Sequence, residues 1–291
     1  MSTNDGVPYL DPEIAAGLSK RSPPSTDKVP TIQEMRAGEA TFHAETIQYQ
    51  KEMAPPGYAF GSANVDDYLL RRVSVKNQIV IANVEYRLAP ENPLPTGLDD
   101  AYEGLKWVVE NASSFSASPA LGLIVGGSSA GGNFTANAVL RARDDPFFAG
   151  RPVTGQFLQI PQLLHPLAEV PEKYKPLYKS MSENAKSPIL SRDDIITSLA
   201  RVGAGPNDPR LSVLLVPDLS RLPKAYFQVS GADPLRDDSL IYENILKEAG
   251  TETKVELYPG YPHVGHYIFP RAAISRKFFE DIVHGVSWLL K

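Results

Sequence analysis

Gly127-Ser128-Ser129-Ala130-Gly131 places a serine two residues from a glycine on each side. Glycine tolerates the sharp turn and close backbone approach that would lift such a serine clear of its neighbours. The next residue would then aim a peptide N–H, that of Ala130, at charge developing on a substrate oxygen. A serine hydroxyl is a poor nucleophile until a base takes its proton, and a third group must orient the base. Where a serine at such a strand-to-helix turn is the nucleophile, the acid and then the histidine follow it in the chain. The histidines are His43, His165, His263, His266 and His284. His165 comes too early for that order, and a helix-surface position accounts for His284. His263 and His266 remain, in Tyr258-Pro259-Gly260-Tyr261-Pro262-His263-Val264-Gly265-His266. The acid candidate is Asp233 in Val229-Ser230-Gly231-Ala232-Asp233-Pro234-Leu235, although an Asp before Pro is also a common turn former.

These residues need a frame that brings three chain segments to one edge. Apolar or β-branched runs at 79–84, 121–125, 156–160, 224–229 and 255–258 predict strands. Between and after them, patterns over 99–111, 131–143, 237–249 and 271–290 predict helices. Leu10-Asp11-Pro12-Glu13 carries an Asp cap with Pro in the first turn, so a short helix over 11–20 is expected. Strands alternating with helices argue for a mostly parallel sheet covered on both faces. Ser129, Asp233 and the two histidines then all lie just past strand ends, where open sheets bind ligands. Residues 164–220 break the rhythm, with one helix expected over 191–202. The stretch is too long for a plain connection and reads as a cap inserted over that edge.

Four segments together resemble the hormone-sensitive-lipase-like branch of the α/β-hydrolases, which includes fungal secondary-metabolite esterases. Tyr86-Arg87-Leu88-Ala89-Pro90-Glu91 is similar to that family's Y-R-L-A-P-E motif, and Gly127 to Asn133 to its G-x-S-A-G-G-N elbow. Asp233-Pro234-Leu235-Arg236-Asp237 is similar to D-P-L-R-D, and Tyr258-Pro259-Gly260 with His263 to Y-P-G-x-x-H. The likeness spans residues 57–291 and favours His263 over His266. It implies an α/β-hydrolase fold with a helical cap, formed by residues 1–54 and the insert, on a core over 55–291. It further implies a carboxylesterase acting on a small-molecule acyl ester, an acetate ester among the candidates, with a Ser129–Asp233–His263 triad and no cofactor.

The chain departs from that pattern where the family carries H-G-G-G, whose glycine N–H groups complete the oxyanion hole. The corresponding slot is Ala54-Pro55-Pro56-Gly57. Proline has no N–H, so only Gly57 and Tyr58 could join Ala130 as donors. Losing one such donor costs about 10²–10³ in turnover. Upstream, Met35, Phe42, Tyr49 and Met53 recur at helical spacing, so residues 31–53 are expected to be helical, with Ile47 to Gln50 as the competing strand. The sheet then lacks its opening strands, and a homodimer is one way to cover the exposed neighbour. The altered slot motivates a lyase or cyclase using the same pocket, and the missing strands a non-catalytic binding protein.

Composition excludes other classes. The 291 residues carry a net charge of −5 with scattered Lys and Arg, so no nucleic-acid partner is expected. The chain has no cysteine, which removes disulfides, thiolate catalysis and Cys-ligated metals. His263 and His266 at i,i+3 lack a converging acidic pair, so no metal is expected. No secretory signal or membrane-spanning apolar run is visible, and a cytoplasmic protein is expected. Arg87 with Glu91 reads as an ion pair beneath the elbow, and Asp99 with Asp100 as a helix start.

Overall fold

The computed structural model describes residues 5–20, 58–59 and 66–291. The expected helix over 31–53, Pro55, Pro56 and Gly57 lie outside the described residues. Among the described residues, four strands form one parallel sheet in chain order. They are β1 (Ile124–Ser128), β2 (Gly155–Gln159), β3 (Lys224–Ser230) and β4 (Thr253–Tyr258). Each pairs in parallel with the next, as in Ser128 opposite Gln159, Gln159 opposite Gln228 and Val229 opposite Leu257.

The helices are α1 (Pro12–Ser19), α2 (Asp67–Asn77), α3 (Thr96–Asn111), α4 (Ala130–Asp144), α5 (Ser180–Glu183) and α6 (Arg192–Leu199). Then come α7 (Arg236–Glu248), α8 (Gly265–Ile268) and α9 (Ala273–Leu289). The Asp11 side chain caps α1 by accepting the Glu13 N–H at 2.9 Å. Ser191 and Asp194 close a reciprocal capping box on α6.

Side chains alternate across a strand, so each strand serves two cores. Leu158, Ala225, Phe227 and Val229 face a cluster with Val139 of α4 and Ile241, Tyr242 and Leu246 of α7. The opposite face meets α1, α2 and α9 through Ile14, Val73, Phe278, Ile282 and Val286, with Tyr258 and Tyr261. Double burial is why β3, with all but its first residue buried, reads as a nearly unbroken apolar run.

Three expectations change. Residues 79–84 form no ladder, although their β-branched run predicts a strand. A strand exists by pairing, and the described residues supply no partner for this run or for the outer edge of β1. A cavity of about 740 Å³ lies between them, lined by Ile79, Ile81, Ile124, Val125 and Phe157. Second, α2 has no counterpart in the sequence reading, because only Leu69 and Val73 of its residues are buried. Third, Arg87 pairs in a fork with Asp100, at 2.7 and 2.8 Å, rather than forming the expected pair with Glu91. Asp99 and Asp100 do lie in the first turns of α3, and Asp99 meets Arg141 at 2.8 Å. No helix among the described residues is long and apolar enough to cross a membrane.

Candidate active site

Ser129 sits at the turn between β1 and α4 with φ 55° and ψ −113°. Positive φ in a non-glycine residue is strained and needs a surround that enforces it. That surround is visible: a Cβ on Gly127 would lie 2.3 Å from the Gly131 oxygen, and one on Gly132 2.5 Å from Pro161 Cβ. A Cβ on Gly131 would meet nothing within 4 Å, so the two positions that require glycine are 127 and 132. The Ser129 N–H donates to the Gln159 carbonyl at 2.9 Å, and the Ser129 carbonyl accepts from Gly132, Asn133 and Gln162. The Ser129 peptide is thereby tied to β2 and to its own helix.

The three expected residues converge. Ser129 Oγ is 3.0 Å from His263 Nε2, and His263 Nδ1 is 2.5 Å from Asp233 Oδ2. Asp233 follows β3, is 1% exposed, and its other oxygen accepts the Leu235 N–H at 2.9 Å. Hydrogen bonds on both oxygens leave the carboxylate little freedom to rotate. His263 lies in the loop after β4, which is docked from two sides. The Asp11 N–H donates to the Gly260 carbonyl at 2.9 Å, and Tyr267 Oη donates to Asp66 Oδ1 at 2.7 Å.

His266 goes elsewhere. It is 0% exposed, stacks on Phe278 at 4.5 Å and touches the Tyr267 ring, and neither ring nitrogen has a hydrogen-bond partner among the described residues. Burial, with a smaller contribution from His263, pushes its pKa down to about 3. It is a neutral aromatic filler rather than a base. His284 is on the exposed face of α9. His165 is buried beside the start of the insert, with Nδ1 accepting the Leu167 N–H at 3.0 Å.

Ala130 opens α4, where the first turn's N–H groups have no partner within the helix. Its N–H is therefore left without a partner inside the helix. Tyr58 is packed edge-on against Phe134 at 5.6 Å, and its hydroxyl donates to Gln162 Oε1 at 2.8 Å. Burial holds that hydroxyl well above the usual phenol range, so it stays a neutral donor committed to Gln162. Sequence reasoning missed Gln162 and Asn184. Asn184 Nδ2 donates to the Asp233 carbonyl at 2.9 Å. Neither carries a spacing signal, because each acts through a backbone group that only the fold brings near. Among the described residues no cluster of three or more His, Asp or Glu is arranged to hold a metal.

A strained serine at a strand–helix turn, met by an aspartate past β3 and a histidine past β4, is the arrangement of an α/β-hydrolase. The α/β-hydrolase-fold family profile matches residues 56–267, and the chain belongs to that family, in its hormone-sensitive-lipase-like branch. It is 34% identical to the versiconal hemiacetal acetate esterase of Dothistroma septosporum over 80% of this chain and 71% of that protein. It is 36% identical to a carboxylesterase of Mycobacterium tuberculosis over 71% of this chain and 63% of that protein. Among solved structures, vibralactone cyclase is 35% identical with a TM-score of 0.88, over 99% of this chain and 97% of that one. A bacterial heroin esterase is 28% identical with a TM-score of 0.78, over 97% and 98%. The chain is a carboxylesterase-type hydrolase.

Proposed function

We propose that the protein hydrolyses a small-molecule carboxylic ester through Ser129, His263 and Asp233. The observation that carries the reading is the contact chain from Ser129 Oγ to His263 Nε2 at 3.0 Å and from His263 Nδ1 to Asp233 at 2.5 Å. Ser129 attacks the acyl carbon while His263 takes its proton, and the same proton then passes to the departing alcohol. Asp233 keeps the imidazole in the tautomer whose Nε2 is free to accept. The Ala130 N–H binds the oxyanion, with a second donor assigned to Gly57 or to the Tyr58 peptide. Water completes the cycle by the reverse proton path. Residues 164–220 act as the cap that shapes the acyl pocket. An acetate ester is the substrate that likeness to the versiconal hemiacetal acetate esterases favours.

A fluorophosphonate probe tests this without knowledge of the natural ester. Stoichiometric labelling at Ser129, abolished in Ser129→Ala and in His263→Ala, is the expected result. A cooperatively folded protein that takes no label would remove acyl transfer from the account.

The likeness to vibralactone cyclase favours a second reading on the same residues. An internal nucleophile of the substrate would replace water, or His263 would move protons without an acyl-enzyme. Its signature is a cyclic product at the mass of the substrate, or of the substrate less its leaving group, where hydrolysis gives acid plus alcohol.

A further inference from the structure

We propose that Asn184 is a positioning residue that sets the Asp233 carboxylate, an inference that rests on the triad reading above and deepens it. Asp233 stands in a loop, so nothing in the sheet ladder fixes its peptide. Asn184, at the C-terminal end of α5, is 2% exposed. Its Nδ2 donates to the Asp233 carbonyl at 2.9 Å and to the Gly231 carbonyl at 3.2 Å. One amide group thus bridges the carbonyls of the two residues that flank Ala232. The Ala232 N–H between them donates to the Tyr261 carbonyl at 2.9 Å, two residues before His263. The acid loop is therefore held between the base loop and Asn184, and a rotation of the Asp233 peptide must break one of these bonds.

The turn that carries Asn184 is itself fastened to the same loop. The Lys179 and Ser180 N–H groups both donate to Asp237 Oδ2 at 2.6 Å. Ser180 Oγ donates to the Pro234 carbonyl at 2.6 Å and accepts the Asp237 N–H at 3.1 Å. Arg236 reaches Glu183 at 2.9 Å, and Met181 shares an apolar cluster with Leu235. A segment of the insert, some fifty residues earlier in the chain, thus grips both ends of Asp233-Pro234-Leu235-Arg236-Asp237. Orientation of the acid matters because a misplacement near 1 Å can cost about 10²-fold in rate.

The test compares Asn184→Ala and Asn184→Asp with Asn137→Ala in the full chain. Asn184→Asp keeps the shape and removes both donors. Asn137 is also a buried amide, 9% exposed, that donates to the Arg210 carbonyl at 2.9 Å, and it serves as the packing control. Turnover of a p-nitrophenyl acyl ester is normalised to serine titrated with the fluorophosphonate. The Asn184 variants are expected to lose about 10–100-fold in kcat with KM held within about twofold, while Asn137→Ala lowers Tm alone. The far-downfield proton of the short His263–Asp233 hydrogen bond is expected to move or vanish in the Asn184 variants. Should Asn184→Ala not fold, Ser180→Ala unties the same turn and carries the same readouts. Unchanged kcat and an unmoved proton line in folded Asn184 variants would overturn the proposal. A parent that takes no label, or a proton line that survives His263→Ala, would instead overturn the triad reading beneath it.

Discussion

At the scale of single residues, packing divides two histidines that residue type and chain order leave together and that only the family likeness separates. His263 and His266 are three positions apart, yet one meets Ser129 and Asp233 and the other is packed on Phe278. No property of the residues separates them; the αL conformation of Val264, φ 48°, starts α8 and turns the second ring inward. The buried one has a consequence for stability. Its pKa lies at about 3 against an ordinary 6.5, so below pH 6.5 the unfolded chain takes up a proton that the folded chain refuses. Its contribution is whole above pH 6.5 and is lost as pH falls toward 3, at no more than about 1.4 kcal/mol per pH unit. His266→Phe keeps an aromatic ring and removes the proton. Urea melts of the variant at about pH 8, 5 and 4 should show a flatter decline than the parent by up to one proton. Equal slopes would show that His266 is solvated or paired. That Ser129, Asp233 and His263 would meet was legible in the sequence because each sits beside turn-forming glycine or proline just past an apolar run. Gln162 and Asn184 were not, because their partners, the Tyr58 hydroxyl and the Asp233 carbonyl, lie 104 and 49 residues away in the chain and are near only in space.

At the scale of elements, strands were readable where both faces are buried and unreadable where pairing decides. β2, β3 and β4 fall within two residues of the runs that predict them. The equally β-branched run over 79–84 does not form a ladder, because composition reports suitability for a sheet and not the presence of a neighbour. α2 was missed for the complementary reason: a helix that buries two residues has little stripe to read. The contact between α9 and the sheet depends on one small residue. Tyr226 stacks on Phe157 at 5.5 Å and donates to the Asp281 carbonyl at 3.0 Å, and it can do so because Gly285 carries no side chain. A Cβ there would lie 2.1 Å from the Tyr226 ring, deep between helix and strand. Gly285→Ala should therefore destabilise by about 1–3 kcal/mol in spite of alanine's better helix propensity. Thermal melts should show a lower Tm, and Gly285→Ala with Tyr226→Leu should recover part of the loss. A melt of the single variant at or above the parent's would mean that α9 is free to move off the sheet.

At the scale of the whole molecule, the sheet is asymmetric, and that asymmetry should be measurable. β3 has neighbours on both sides and helices on both faces, whereas β1 has one described neighbour and borders the cavity of about 740 Å³. Gly126 in the middle of β1 is exposed, and Leu121 at the cavity's rim is 85% exposed. Amide exchange reports the free energy of the smallest opening that frees each N–H, and edge elements with few buried neighbours open most easily. Amides of β3 and of the β2 register facing it should exchange only on global unfolding. Those of β1 that point away from β2 should exchange orders of magnitude sooner, on local opening, and so should the backbone of 79–84. Yet Ser129 hangs from the end of β1, and its position is fixed from the paired side by Gln159 of β2, whose carbonyl accepts the Ser129 N–H at 2.9 Å. Ser129 can therefore stay ordered while the strand that leads to it breathes. Hydrogen exchange read peptide by peptide would decide it: fast β1 with a slow Ser129 amide supports the anchoring by β2. Protection of β1 equal to that of β3 would mean that its outer edge is paired after all, and the sheet would extend past β1 in solution.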